Sequence, residues 1–385
     1  MELDLMWILV GLPLAFGLGW LASRLDLRQL RIDNRQAPRA YFKGLNYLLN
    51  EQQDQAIDAF IEAVQNDPDT SELHFALGNL FRRRGEYERA VRVHEHLMQR
   101  GDLSPADRQR AQHALALDFL KAGLLDRAED ALRKLEGTSF QGQARLARLA
   151  IYERSREWPQ ASEVAQLLEN SGEANFAVRQ AHYLCEQARE RHAQNDTHAA
   201  QRLLQQAMEV APKAGRARIL LGQLQLSLAQ AEAAMHTLKP LFEHNALAAP
   251  LAAATLARAA QAAGQVAPAL ALLQAHYQQA PCLDVMEALV TLEALSPDTA
   301  SRARERYIDH LQQHPSLIAA SRWMAGETWT HEAAHTPVQA ALDHAAKPLA
   351  RYRCAACGFE AKEHFWHCPG CQAWDSYPPR RVEEL

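Results

Sequence analysis

The chain has 385 residues and a formal net charge of −5, with acidic and basic residues mixed along its length. No concentrated basic stripe is present, which argues against a nucleic-acid-binding protein. Aromatic residues make up 7% of the chain, Ala and Leu are abundant and β-branched residues few, a composition that points to helix almost throughout. The first element is apolar: Leu5 to Ser23 carries no charge and is bounded by Asp4 and Arg24. As a helix rising about 1.5 Å per residue it is long enough to cross roughly 30 Å of hydrocarbon. Trp7 and Trp20 sit near its ends, where an indole prefers the interface. Gly11, Gly17, Gly19 and Pro13 are tolerable in lipid and costly in a water-exposed helix. A cleaved signal peptide would want a basic start, and Glu2 and Asp4 make this one acidic. A buried helix of a globular body is the alternative reading of the same run.

Five arginines follow, Arg24, Arg28, Arg31, Arg35 and Arg39, with none before the span. The positive-inside rule then places everything after residue 23 in the cytoplasm, as a single-pass membrane protein. Their spacing would align them on one face of a continuing juxtamembrane helix. That face reads as a topology signal that snorkels to lipid phosphates, with a docking stripe for an acidic partner as the alternative.

Beyond residue 40 the sequence acquires a period. Small residues recur at Ala56, Ala90, Ala128, Ala161, Ala200, Ala234, Ala269 and Ala303. Four residues after them stand Phe60, His94, Leu132, Ala165, Leu204, Leu238, Leu273 and Tyr307. Seven after them stand Ala63, Leu97, Leu135, Leu168, Ala207, Leu241, His276 and His310. Positions i, i+4 and i+7 share one helix face, so one face is repeated eight times. The first unit has Gly44, Ala56, Phe60, Ala63 and Pro68, and the second adds Gly78, Gly85 and Tyr87. On these residues the segment resembles the tetratricopeptide repeat. Pro212, Pro281 and Pro315 fall where the first unit has Pro68, ending the second helix of a pair, and Leu149 and Ala257 replace the glycine in two middle units. The resemblance implies a right-curving stack of antiparallel helix pairs whose concave groove binds peptides or protein faces. Arg82, Arg83 and Arg84 with Asn79 make the second unit the most basic. This run reads as a solvated face, or as a site touched by an acidic segment.

His331-Glu332-Ala333-Ala334-His335 matches the zinc-protease pattern H-E-x-x-H. Pro337 is expected to stop the helix that such a site requires, and no third ligand follows at a suitable spacing. A metalloprotease is therefore set aside. No phosphate-binding glycine loop, G-x-S-x-G elbow or G-x-G-x-x-G fingerprint is present.

The last chemical signal is the strongest. Cys354-x2-Cys357 and Cys368-x2-Cys371 place four thiols in two tight pairs, the donor set of a closed tetrahedral metal site. Gly358 and Gly370 are expected to permit the two knuckle turns. So short a segment cannot bury a useful core, and metal ligation would supply most of its folding energy. Two disulfides in an exported protein would be the alternative, and a cytoplasmic location removes it. Cys185 and Cys282 read as small core residues, and His364 and His367 as surface or packing residues, since four sulfurs already saturate the ion. Zinc in a structural role is the reading of choice and iron the alternative.

The C-x-x-C-G … C-P-x-C pair resembles the knuckles of rubredoxin. The order of parts, YRCAACGF…WHCPGCQAW at the end included, resembles the lipopolysaccharide assembly protein B family of Gram-negative bacteria over essentially the whole chain. The resemblance implies an adaptor anchored in the inner membrane, not an enzyme. It would present the lipid A pathway deacetylase LpxC to the membrane-bound FtsH protease, with an inner-membrane regulator contacting the anchor. A general membrane-tethered scaffold for envelope assembly complexes is the alternative. The expected fold is all-α: a tetratricopeptide-repeat superhelix with an N-terminal transmembrane helix and a small C-terminal rubredoxin-like metal ribbon. Its parts are an N-terminal segment and span at 1–23, a basic juxtamembrane helix at 24–40, about eight repeat units at 41–345, the ribbon at 350–376 and a tail at 377–385. Tyr352, Phe359, Trp366 and Trp374 are expected to pack the ribbon against the last helices or a partner, and Tyr377-Pro378-Pro379 to leave as an extended tail.

Overall fold

The computed structural model describes residues 15–18, 20, 41–172, 175–244, 246–328 and 332–385. Most of the apolar run and all five arginines expected to flank a membrane lie outside the described residues. Among the described residues no helix is long and apolar enough to cross a membrane. The chain divides into two compact units, one ending at Ile151 and one running from Tyr152 to Leu385.

The first unit contains α1 (41–49), α2 (Gln53–Asn66), α3 (Ser71–Arg83), α4 (Tyr87–Gln99), α5 (Pro105–Lys121), α6 (Leu125–Arg133) and the start of α7 (Gln141–Ser155). The second contains the end of α7, then α8 (Trp158–Asn170), α9 (Ala177–Ala193), α10 (Thr197–Val210), α11 (Gly215–Ser227) and α12 (Ala231–Glu243). It continues with α13 (Ala249–Ala262), α14 (Val266–Gln279), α15 (Leu283–Glu293), α16 (Pro297–Gln313), α17 (Leu317–Ala325) and α18 (Glu332–Leu349). Each recurrent small residue falls on an even-numbered helix from α2 to α16, and all eight are at most 3% exposed. The residues seven positions on are buried as well, and of those four positions on only Tyr307 is partly exposed. The periodic face is therefore the core face of the second helix of every pair.

The glycine of the first helix has a packing reason. A Cβ on Gly78 would stand 2.6 Å from the His94 ring, one on Gly222 2.7 Å from Leu238 Cγ, and one on Gly44 2.8 Å from Phe60 Cε2. The missing side chain makes the hole that receives the i+4 residue of the partner helix. The hairpins share a second device. Glu51, Gly85, Gly123, Arg156, Asn195, Ala229 and Gly264 each have positive φ and each lies two residues before an even-numbered helix. In all seven the following amide donates to the carbonyl five residues back, as in Glu86 N to Phe81 O at 2.8 Å and Gln230 N to Gln225 O at 2.8 Å. This is the Schellman closure, which favours glycine because an L side chain is strained there.

Two expectations change at this level. Pro337 does not end its helix: α18 begins at Glu332 and runs through both Pro337 and Pro348. At Pro337 the helix forgoes one intrahelical bond, to the carbonyl of residue 333, and continues past it. The basic run is divided between the fold and the surface. Arg82 donates to Asn79, to Ala114 O and to the fully buried Asp118, whereas Arg83 and Arg84 are exposed, Arg84 pairing at the surface with Asp54 and Glu86.

Candidate metal centre

The last helix leads directly into the ribbon. Strand β1 (Tyr352–Arg353) pairs antiparallel with β2 (Glu360–Ala361), Tyr352 opposite Ala361, and an isolated bridge joins His367 to Trp374. The two C-x-x-C segments form near-identical knuckles. Cys354 N donates to Phe359 O and Cys368 N to Ala373 O, both at 2.9 Å. Gly358 N returns to Cys354 O and Gln372 N to Cys368 O, again both at 2.9 Å. The left-handed residue after each pair is Gly358 in the first knuckle and Gln372 in the second. Gly370 was expected to serve the second turn and has no positive φ; a Cβ there would only reach ordinary contact with Cys357 Sγ, at 3.5 Å.

The knuckles bring the four sulfurs within 4.8 Å of one another, with Cys354 and Cys371 at 3.8 Å and Cys357 and Cys368 at 3.7 Å. A tetrahedron of thiolates at about 2.3 Å from a central ion has edges of about 3.8 Å, which two of the separations already match, and none exceeds 4.8 Å. The electrostatics suit thiolates. Amides of Ala356 and Cys357 favour the Cys354 thiolate, that of Phe359 favours Cys357, and that of Ala373 favours Cys371. Burial pushes the Cys354 thiol up, but Ser376 Oγ at 3.3 Å and these amides outweigh it and hold it at about 6. The amide of Phe359 works the same way on Cys357, where residual desolvation and the neighbouring sulfurs win and push it up to about 12. Crowded sulfurs of this kind ionise together only when a cation compensates them. Cys354 and Cys368 are buried and Cys357 and Cys371 exposed, one of each in each knuckle. Burial pushes the thiols of Cys185 and Cys282 up to about 12, as expected of inert core residues.

The ribbon packs on the array, and across its breadth in the second unit, not on the last helices alone. Trp374 is the main anchor. Its ring lies between His182 of α9, at 4.8 Å and 17°, and the ribbon's own His367, at 4.3 Å and 18°. Its indole N–H donates to Glu153 of α7 at 3.0 Å, and it meets Trp158 and Tyr183 edge-on. His182 Nε2 is 2.9 Å from the Asp375 carboxylate, and its Nδ1 is 3.3 Å from Arg216 Nη1 on α11. A guanidinium only donates, so Nδ1 accepts and the proton sits on Nε2, facing Asp375. Arg216 in turn pairs with Glu186 and lies 5.9 Å from the Trp366 and Trp374 rings. Leu251 of α13 packs against the small ribbon cluster of Tyr352, Cys354, Cys368 and Tyr377. Apart from Trp158 at the start of α8, the contacts named above come from first helices of pairs. His364 packs among Tyr352, Trp366 and Tyr377, so neither ribbon histidine is free to ligate.

Residues 377–385 do not leave the body. Tyr377 is buried with its hydroxyl donating to Phe359 O at 3.1 Å, and the chain beyond it returns to α15, α17 and α18. No turn signal marks that return, because its partners are helix amides far away in sequence.

Among the described residues the four cysteines are the only group of three or more His, Cys, Asp or Glu side chains placed to hold an ion. His331 and the side chain of Glu332 lie outside the described residues, and His335 Nε2 is 3.4 Å from Met324 O.

Comparison with known proteins agrees with this architecture. Residues 352–378 match the model of a rubredoxin metal binding domain, and residues 191–253 match that of a tetratricopeptide repeat. Lipopolysaccharide assembly protein B of Escherichia coli K12 is 31% identical over 387 residues, covering 98% of each chain. The protein of the same name from Haemophilus influenzae is 28% identical, covering 99% of each. With helical repeats, a four-sulfur ribbon and this likeness end to end, the chain belongs to the lipopolysaccharide assembly protein B family.

Proposed function

We propose that this protein is a membrane-tethered adaptor that limits lipopolysaccharide synthesis by presenting the deacetylase LpxC to the FtsH protease. Cys354, Cys357, Cys368 and Cys371 hold one structural ion, zinc in the first instance and iron with the same geometry. One observation carries the choice of adaptor over metal hydrolase. The single metal-competent group among the described residues has four sulfurs at tetrahedral spacing, which leaves no coordination position for water or substrate. What the chain offers instead is surface, on helical repeats of a kind suited to protein faces. The apolar run before Arg24 is read as the anchor, with the bulk on the cytoplasmic side. A tether of this kind raises the local concentration of a client at a membrane-bound protease. Relatives named for lipopolysaccharide assembly support the pathway.

The test measures the half-life of LpxC in cells carrying the full chain, a form lacking residues 1–23, and a form with all four ribbon cysteines changed to Ser. Loss of either part should lengthen the half-life to that of cells without the protein. Normal turnover with both parts removed would end the adaptor reading. Glu332→Gln should change nothing, and loss of function in that variant would revive the hydrolase. Capture of other envelope assembly complexes in place of LpxC and FtsH would favour the general scaffold.

A further inference from the structure

The last nine residues do something that neither the repeats nor the four cysteines explain. After Tyr377 the chain turns back, and a short 3-10 turn, Val382–Glu384, delivers two adjacent carboxylates to two different helices. Glu384 Oε1 accepts from the amide of Leu283, the first residue of α15, at 2.8 Å. Glu383 accepts from the amides of Leu317 and Ile318, the first residues of α17, and from Ser316 Oγ at 2.6 Å. A helix start leaves such amides without partners and carries partial positive charge, and α15 has no side-chain cap from its own N-cap residue, Cys282. Between the two contacts Arg381 spans both oxygens of Asp284 on α15, at 2.6 and 3.2 Å, and donates to Ala350 O at 2.9 Å. Val382 N closes on Arg351 O at 2.7 Å. Three helices thus meet on one nonapeptide.

The nonapeptide is held in place by the ribbon. Ala355 N donates to Ser376 O at 2.7 Å, and Tyr377 belongs to a buried ribbon cluster, two of whose four members are the candidate ligands Cys354 and Cys368. We infer that the tail is a staple whose grip on α15 and α17 depends on the ribbon being folded around its ion, so that the state of the four sulfurs is transmitted to the last helix pairs. The inference rests on the metal reading proposed above. Arg351 and Val382 are separated by thirty residues, 352 to 381. While the ribbon is folded those residues form one rigid connection. Once it is unfolded the same contact must close a flexible loop, whose probability falls as about the 3/2 power of its length, on the order of a hundredfold here.

Hydrogen exchange on the zinc-loaded full chain tests this, compared with the chelator-stripped protein and with a zinc-loaded Glu383→Ala/Glu384→Ala variant. Stripping should speed exchange at the first turns of α15 and α17 by roughly a hundredfold while α3 and α4 keep theirs. The double variant should speed the same amides while retaining one equivalent of zinc. Unchanged exchange at α15 and α17 in stripped protein whose ribbon amides have opened would overturn the staple, as would unchanged exchange in the double variant. Zinc content reports on the metal reading separately: a chain that takes up no zinc sinks that reading, and the double variant still decides whether the tail holds the helices.

Discussion

Metal affinity and ribbon docking are one equilibrium in this architecture, because a segment without its own core folds, docks and ligates together. A substitution on the array, remote from every sulfur, should therefore be readable at the metal. His182→Ala is the informative case. It removes a 2.9 Å contact to Asp375 and the stack on Trp374 at 4.8 Å while leaving all four cysteines untouched. A hydrogen bond to a charged partner is worth about 1.5–3 kcal/mol and an aromatic pair about 0.5–1.5. The Asp375 side chain is 46% exposed, which argues for the low end of both, a total of about 2 kcal/mol. At about 1.4 kcal/mol per factor of ten, zinc should bind about 30-fold more weakly. Glu153→Gln keeps an acceptor for the indole N–H of Trp374 and should cost less than about 5-fold. Competition between cobalt(II) and zinc on the full chain measures both. Zinc affinity within about threefold of the parent in His182→Ala, with the helical signal intact, would refute the linkage and make the ribbon an independent module.

The hairpins make a graded prediction. Ala229 holds positive φ where other units have glycine, so Ala229→Gly should stabilise by about 0.5–1 kcal/mol, the strain relieved exceeding the entropy added to the unfolded chain. Asn195→Gly should be near neutral because Asn tolerates that region; thermal unfolding that ranks the two the other way would contradict the argument. Asp118 is fully buried and accepts from Arg82 at 2.8 Å and His94 at 2.5 Å, so Asp118→Ala should cost the first unit about 3–5 kcal/mol in urea unfolding. Burial, foremost, holds His74, His113, His276 and His310 below the usual imidazole value. Each depressed imidazole binds its proton more readily in the unfolded chain. Their contribution is complete above about pH 6.5 and is lost as pH falls below it, so the unfolding temperature should drop from pH 7.5 to 5.5 and less steeply in His276→Gln/His310→Gln.

What could be read from residues alone divides by distance along the chain. The array was legible because its determinants are local: a small residue, a residue four on and one seven on occupy one helix face wherever the pair sits. The four sulfurs were legible for the same reason, each knuckle being five residues with a fixed turn. Expectations drawn from single residue types fared worse. Gly370 looked like the second knuckle's turn residue, yet the equivalent of Gly358 is Gln372, since the left-handed position follows the pair and does not sit inside it. Pro337 looked like a helix stop and is instead an early residue of α18. Arg82 looked like surface charge and is the donor that keeps Asp118 paired in the core. Least legible were the groups that place the ribbon. Glu383 and Glu384 resemble any polar chain end, and their meaning comes from amides 66 and 101 residues away. His182 and Asp375 are 193 residues apart. A carboxylate or an imidazole has no period and no spacing; its role is set by which helix start or which ring the fold brings to it. That is why the candidate metal ligands could be named from four letters, while the residues that bind their knuckles to the repeats emerge only from the packed chain.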